Sequence, residues 1–307
     1  GLVQKTGTGV TSTSAVTLSG AINIGGTAAV LASNLNVNHS VRATDRIYLD
    51  EYFKQLPGIN ADLANAGEST RVPVSRDFEV AGANSTSALA TFDHDYPGAT
   101  ITTAGADDDS MFIRPHLDTV QSQWALAGMF DSQREVEWEC CITTGASIAN
   151  TVIGAGLKLT GTNAIGHATG TCKVIVDDNQ AFFLYTSAAN TDASLAAVTT
   201  PANWHFIFSA GGVDYVTDIG LAVAINTKYH LKITIDSTRY VRIYVNGIQY
   251  GLAATAVAAG TTNATTTAAS AVAIATNVSL VPFVGVQAIA AAAKAIRVHY
   301  VCANRKF

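Results

Sequence analysis

Two stretches of this chain alternate side chain by side chain. Residues 135–142 read EVEWECCI and residues 229–250 read YHLKITIDSTRYVRIYVNGIQY, apolar on one parity and polar or charged on the other. A period of two describes a strand with one buried face and one wet face. The longer stretch divides into two strands at Asp236–Ser237–Thr238 and ends in a tight turn at Asn246–Gly247. Such strands belong to sheets packed on one side, the arrangement of a β-sandwich and not of an α/β enzyme.

Further strand patterns run over 71–78, 88–92, 110–113, 133–143, 153–159, 171–176, 181–185, 204–209, 213–217, 280–288 and 295–301, most of them separated by turns of Gly, Asn, Asp or Ser. About twelve strands of this length need two layers to bury their apolar faces. Ahead of them, residues 1–38 form a Gly/Thr/Ser-rich arm with too little bulk for a core. Its patches Val16–Leu18 and Ile22–Ile24 suit addition as strands to another subunit. Thr44 or Asp45 is placed to cap a short helix running through RIYLDEYFKQL to Leu56, before Pro57–Gly58. Tyr48, Tyr52, Phe53 and Leu56 recur at helical intervals, so this helix would cover an open end of the sandwich or an intersubunit contact. The expected organisation is therefore an arm with a short helix over residues 1–69 and a sandwich over residues 70–307.

Composition narrows the partners. Of the 307 residues only 13% are charged, against roughly a quarter in ordinary soluble domains. No charge occurs between Arg242 and Lys294, and 18 of the 30 residues from 251 to 280 are Ala or Thr. Extended chain of this kind suits close packing against neighbouring protein, where charges are costly to desolvate. The net charge is −5 and the 18 basic residues are scattered, which argues against a nucleic-acid groove. No apolar run has the length of a membrane helix, and the first residues lack the basic and apolar regions of a signal peptide. The four cysteines (Cys140, Cys141, Cys172 and Cys302) show no metal-knuckle spacing and read as free thiols, suited to assembly in a reducing cytoplasm. Cys140 shares a parity with Val136, Trp138 and Ile142 and reads as core, whereas Cys141 points the other way.

The runs GMFDSQREVEWECCI, GAGLKLT (154–160), DDNQAFFLY (177–185), YHLKITIDSTRYVRIYVNGIQY and LVPFVGVQAIAAAAKAIRVHYV together resemble the concanavalin-A-like, laminin-G-like jelly rolls of tailed-bacteriophage structural proteins. The resemblance spans about residues 70–305. It implies a virion protein, assembled in the host cytoplasm, that decorates or cements the capsid as a homotrimer on the major capsid protein or another virion protein. The alternative it implies is a tail-fibre or receptor-binding protein whose lectin-like domain takes a host surface glycan. No heptad shaft of a tail fibre is present, which puts the capsid reading first.

Candidate sites are few. Glu135, Glu137 and Glu139 share one parity, with neighbouring carboxylates about 6.5 to 7 Å apart by strand rise, a spacing relevant to glycoside hydrolysis. Laminarinase-like jelly rolls carry such glutamates with an Asp between them. Here Val136 and Trp138 occupy those positions, so the three read as charges on the wet face of an edge-exposed strand. No catalytic residue and no enzymatic activity are expected. Asp93, His94 and Asp95, the run Asp107–Asp109, and Asp177–Asp178–Asn179 offer hard oxygens at turns. A structural calcium ion is the one cofactor they could take, although solvated turns explain them too. The seven histidines have no triad or ligand spacing, and His205 and His230 read as structural imidazoles. Trp204, Tyr215, Tyr240, Tyr244 and Tyr250 are candidates for a sugar-stacking face.

Overall fold

The computed structural model describes residues 4–6, 9–11, 23–24, 27–28, 46–53, 72–73, 78–82, 90–92, 98–115, 117–118, 121–122, 134–159, 167–168, 171–172, 179–188, 198, 200–256 and 265–306. Two compact units divide the chain, Gly1–Thr44 and Asp45–Phe307. In the first, Gln4–Thr6 pairs with Gly9–Thr11 and Asn23–Ile24 pairs with Thr27–Ala28. Val16–Leu18 lies outside the described residues.

Among the described residues, the second unit places, beside three two-stranded pairings, sixteen strands in two eight-stranded antiparallel sheets. They are β1 Arg46–Glu51, β2 Val72–Pro73, β3 Phe78–Ala81, β4 Ala90–Phe92, β5 Ala99–Thr102, β6 Ser110–Pro115, β7 Glu137–Thr144 and β8 Thr151–Leu159. The others are β9 Gln180–Thr186, β10 Asn203–Ala210, β11 Val213–Ala222, β12 Lys228–Ile235, β13 Val241–Val245, β14 Ile248–Tyr250, β15 Leu280–Ala288 and β16 Ala295–Lys306. The first sheet runs β11-β10-β9-β8-β15-β6-β3-β2. The second runs β14-β13-β12-β7-β16-β5-β4, with β1 also paired to β16. The protein is an antiparallel β-sandwich, as the alternation of the sequence predicts.

The core forms where the two inner faces meet. Trp138, Cys140 and Ile142 of β7 and Tyr229, Leu231 and Ile233 of β12 face Phe183, Trp204 and Phe206 of the first sheet in one buried cluster. The first sheet is buried on its outer side as well. Phe112, Val152, Phe182, Leu184, Ile207, Val216 and Phe283 form a second cluster there together with Val198. Strands buried on both faces read as unbroken apolar runs, which is why AFFLY in β9 and VPFVGV in β15 lack alternation. The second sheet keeps one wet face and alternates: β12 and β13 bury every second residue. Their connecting turn is fixed by Asp236, whose Oδ1 accepts the amide hydrogens of Thr238 (2.9 Å) and Tyr240 (3.0 Å). The β13–β14 turn places Asn246 and Gly247 at φ 51° and 81°, as a two-residue hairpin requires.

The helix expected from Thr44 to Leu56 does not form over its described part. Residues 46–51 are strand β1, paired with residues 301–306 of β16. Helical spacing was coincidental: Leu49 turns into the core, Tyr48 and Asp50 share the outer face, and Phe53 bends inward at φ 49° against Phe78. The free flank of β16 beyond β5 supplies backbone partners, and tertiary pairing overrides local propensity. Strand β7 is central between β12 and β16, not edge-exposed as its charges suggested.

The charge-free segment is tied to its own fold over part of its length. Residues 268–280 pack on their own sandwich, with Ile274 and Val278 in the core. The Val241 amide donates to Ser270 Oγ (3.0 Å), and Arg239 Nε donates to the Ile274 carbonyl (2.8 Å). Burial within the fold accounts for the missing charges at Ser270, Ile274, Val278 and Leu280, whereas Ala268 and residues 275–277 stay exposed.

Candidate functional site

The wet face of the second sheet is where the chain presents chemistry. Alternation sends Glu137, Glu139, Cys141 and Thr143 of β7 outward, and antiparallel register sets partners beside each. One row across the sheet reads Tyr244, Lys232, Glu139, Cys302 and Asp50. The row above it holds His230, Cys141 and Tyr300. A register shift between Cys141 and Ile142 lets β16 carry both His299 and Tyr300 past this point.

Tyr300 is the hub of an aromatic row. Its ring lies 5.7 Å from that of Tyr52 and 6.2 Å from that of His230, measured between centroids. Its hydroxyl is 3.3 Å from His230 Nδ1, while His230 Nε2 is 3.7 Å from Cys141 Sγ. Cys302 Sγ donates to the Tyr52 hydroxyl at 3.7 Å. At the neighbouring edge Thr143 Oγ1 and His299 Nε2 are 2.8 Å apart.

The field over this row is acidic. Burial, then the Glu139 carboxylate, pushes the Tyr300 hydroxyl well above its ordinary range. Burial, then Cys302, Asp50 and Glu139, does the same to Tyr52, so both remain neutral hydrogen-bond donors. Burial raises the Cys141 thiol to about 11 against the opposing pull of Lys228, and raises Cys140 and Cys302 as well. Cys140, Cys141 and Cys302 are free and protonated, unsuited to nucleophilic work at neutral pH.

The three glutamates divide in role. Glu135 stands before the strand at φ 51° and is bridged by Lys306 and by Arg46 at 3.6 Å. Glu137 bridges Arg46 at 3.9 Å and Lys232 at 3.6 Å. Glu139, half-buried beside Tyr300, has no hydrogen-bond or ion-pair partner among the described residues.

Of the aromatics expected to stack sugars, the structure places only Tyr244 firmly on this face. Trp204 and Tyr215 are core residues at 0% and 8% exposure. Tyr250 packs against that core, and Tyr240 sits at the β12–β13 turn. The aromatic row is instead built by Tyr52, hidden inside the supposed helix, and Tyr300, whose parity is reset by the bulge. His230 is exposed, contrary to the structural role expected of it. His205 is a buried structural imidazole on the first sheet, its Nδ1 3.1 Å from the Asn203 carbonyl. In the acidic run, Asp109 is buried and its Oδ2 accepts the Ala106 amide hydrogen at 2.6 Å. Among the described residues no three His, Cys, Asp or Glu side chains converge as metal ligands. Asp93, His94, Asp95, Asp177 and Asp178 lie outside the described residues, and Asn179 Oδ1 accepts the Ala275 amide hydrogen at 3.4 Å.

No family model and no curated protein matches the chain. Among solved structures it is similar to a protein of unknown function from Shewanella oneidensis MR-1, at 13% identity and TM-score 0.43 over 94% of this chain and 97% of that one. The carbohydrate recognition domain of Emp47p follows at 8% and 0.45, covering 77% and 91%. The alginate lyase A1-II′, of polysaccharide lyase family 7, follows at 11% and 0.42, covering 72% and 86%. At these identities the likeness carries no functional argument. It corrects one expectation, however: a lyase stands beside a recognition domain, so the jelly-roll reading gives no ground for excluding enzymatic activity, and that exclusion is withdrawn.

Proposed function

We propose that this protein binds carbohydrate on the wet face of its second sheet. The observation that carries the reading is the Tyr52–Tyr300–His230 row, rings 5.7 and 6.2 Å apart, beside the unpartnered Glu139. A pyranose ring offers C–H groups to aromatic faces and hydroxyls to carboxylate, imidazole and phenol groups. Tyr52 and Tyr300 supply the first kind of contact. Glu139 accepts hydroxyl protons, and Tyr244 with Lys232 extends the row for a further sugar unit.

In the tailed-phage setting implied by the sequence resemblance, such a face favours adhesion to a host glycan over capsid cementing. A homotrimer would multiply weak single-site binding through avidity. The test is retention of the full chain on an array of neutral, amine-bearing and acidic glycans. Saturable retention on at least one class is expected. Retention on none of them would overturn the reading.

A further inference from the structure

Resting on that reading, we propose that the Tyr52–Tyr300 face selects sugars bearing a free amine, the ammonium seating between the two tyrosine rings and the Glu139 carboxylate. The charge arithmetic of the face points there. Its basic groups near the row are already engaged: Lys232 and Arg46 on Glu137, Arg46 and Lys306 on Glu135, and Arg242 on Asp236 at 2.8 Å. Lys232 stands directly opposite Glu139 in register, yet its Nζ reaches Glu137 instead. Glu139 is left as an uncompensated charge at the centre of the sheet, one row from Tyr300 and two strands from Asp50.

An uncompensated carboxylate beside aromatic faces is the recognition chemistry of an ammonium group. The ring faces attract the cation through their quadrupoles, and the carboxylate accepts its hydrogens. A neutral sugar satisfies only the stacking and hydroxyl contacts. A uronate sets its own negative charge against Glu139 and Asp50, which costs affinity. Lys228 and Arg297 occupy the row of Thr143, beyond His230 and Cys141, so the basic end of the face lies away from Glu139.

The test titrates the full chain with three oligosaccharides of equal length: glucosamine, N-acetylglucosamine and a uronate, each against wild type, Glu139→Gln and Tyr300→Ala. Circular dichroism checks that the variants fold. Wild type should bind the glucosamine oligomer about tenfold tighter than its N-acetylated counterpart, as a charge-assisted contact allows. The preference should shrink in high salt and vanish in Glu139→Gln. Equal or tighter binding of the N-acetylated or uronate oligomer, still lost in Tyr300→Ala, would overturn the amine preference alone. No binding of any of the three to wild type would overturn this inference, while retention on the glycan array decides the reading beneath it.

Discussion

Trp204 of the first sheet stands edge-on to Tyr229 of the second, ring centroids 5.5 Å apart and planes at 75°. The pair bridges the two layers, and Tyr185 also packs edge-on with the same indole at 6.3 Å. This contact fixes Trp204 as a core residue and takes it out of any surface site. Truncation to Ala should therefore cost about 3 to 5 kcal/mol, as for other buried aromatics. Chemical denaturation measures it. A loss below about 1 kcal/mol would show that the sheets do not pack through this pair.

Gly156 of β8 should tolerate no side chain. A Cβ there would lie 2.5 Å from both the Ala181 carbonyl oxygen and Phe182 Cα, backbone atoms of the neighbouring strand that cannot swing away. Gly156→Ala should destabilise by about 1 to 3 kcal/mol through overpacking. A variant with wild-type melting would place β9 further from β8 than the fold has it.

Stability should fall as the solution is acidified, in part through His205. Burial depresses its affinity for protons, with only partial opposition from Asp218 and the Asn203 carbonyl. Above the unfolded value, about 6.5, neither state is charged and the group contributes nothing. Below it the unfolded chain takes up the proton first, so stability drops by at most about 1.4 kcal/mol per pH unit until the folded value is passed. His205→Gln should flatten the melting profile between pH 7 and 5 relative to wild type. An unchanged slope would mean that the imidazole is charged in the fold or exposed to water.

Glu137→Gln should matter little to stability. Its ion pairs to Arg46 and Lys232 are 3.9 and 3.6 Å long on a side chain 40% exposed, a setting worth no more than about 1 kcal/mol. Thermal melting reads the difference. Loss of a glycan-degrading activity in this variant, with the melt intact, would instead give Glu137 a chemical role.

Much of the architecture was legible because alternation is a strong signal. EVEWECCI and the hairpin at 229–250 kept their register, and Asp236 and Asn246–Gly247 turned where they were expected to turn. The failures share a cause. Tyr48, Tyr52 and Phe53 satisfy a helical stripe locally, and only the vacant flank of β16 decides for a strand. The same error hid Tyr52 from the candidate site. Tyr300 was hidden by the register shift at Cys141–Ile142, which flips its parity and which no local pattern announces. Trp204 and Tyr215 were proposed for a surface because a sheet buried on both faces looks, in sequence, much like one buried on a single face.

The central claim is that sugar rings seat on Tyr300. The most direct measurement is a paired titration of one retained glycan against wild type and Tyr300→Ala, with melting temperature as the control for folding. The account predicts at least about tenfold weaker binding in the variant, the loss expected of an aromatic hot spot, at an unchanged melt. Equal affinity in the two proteins would contradict it and move the site off this face.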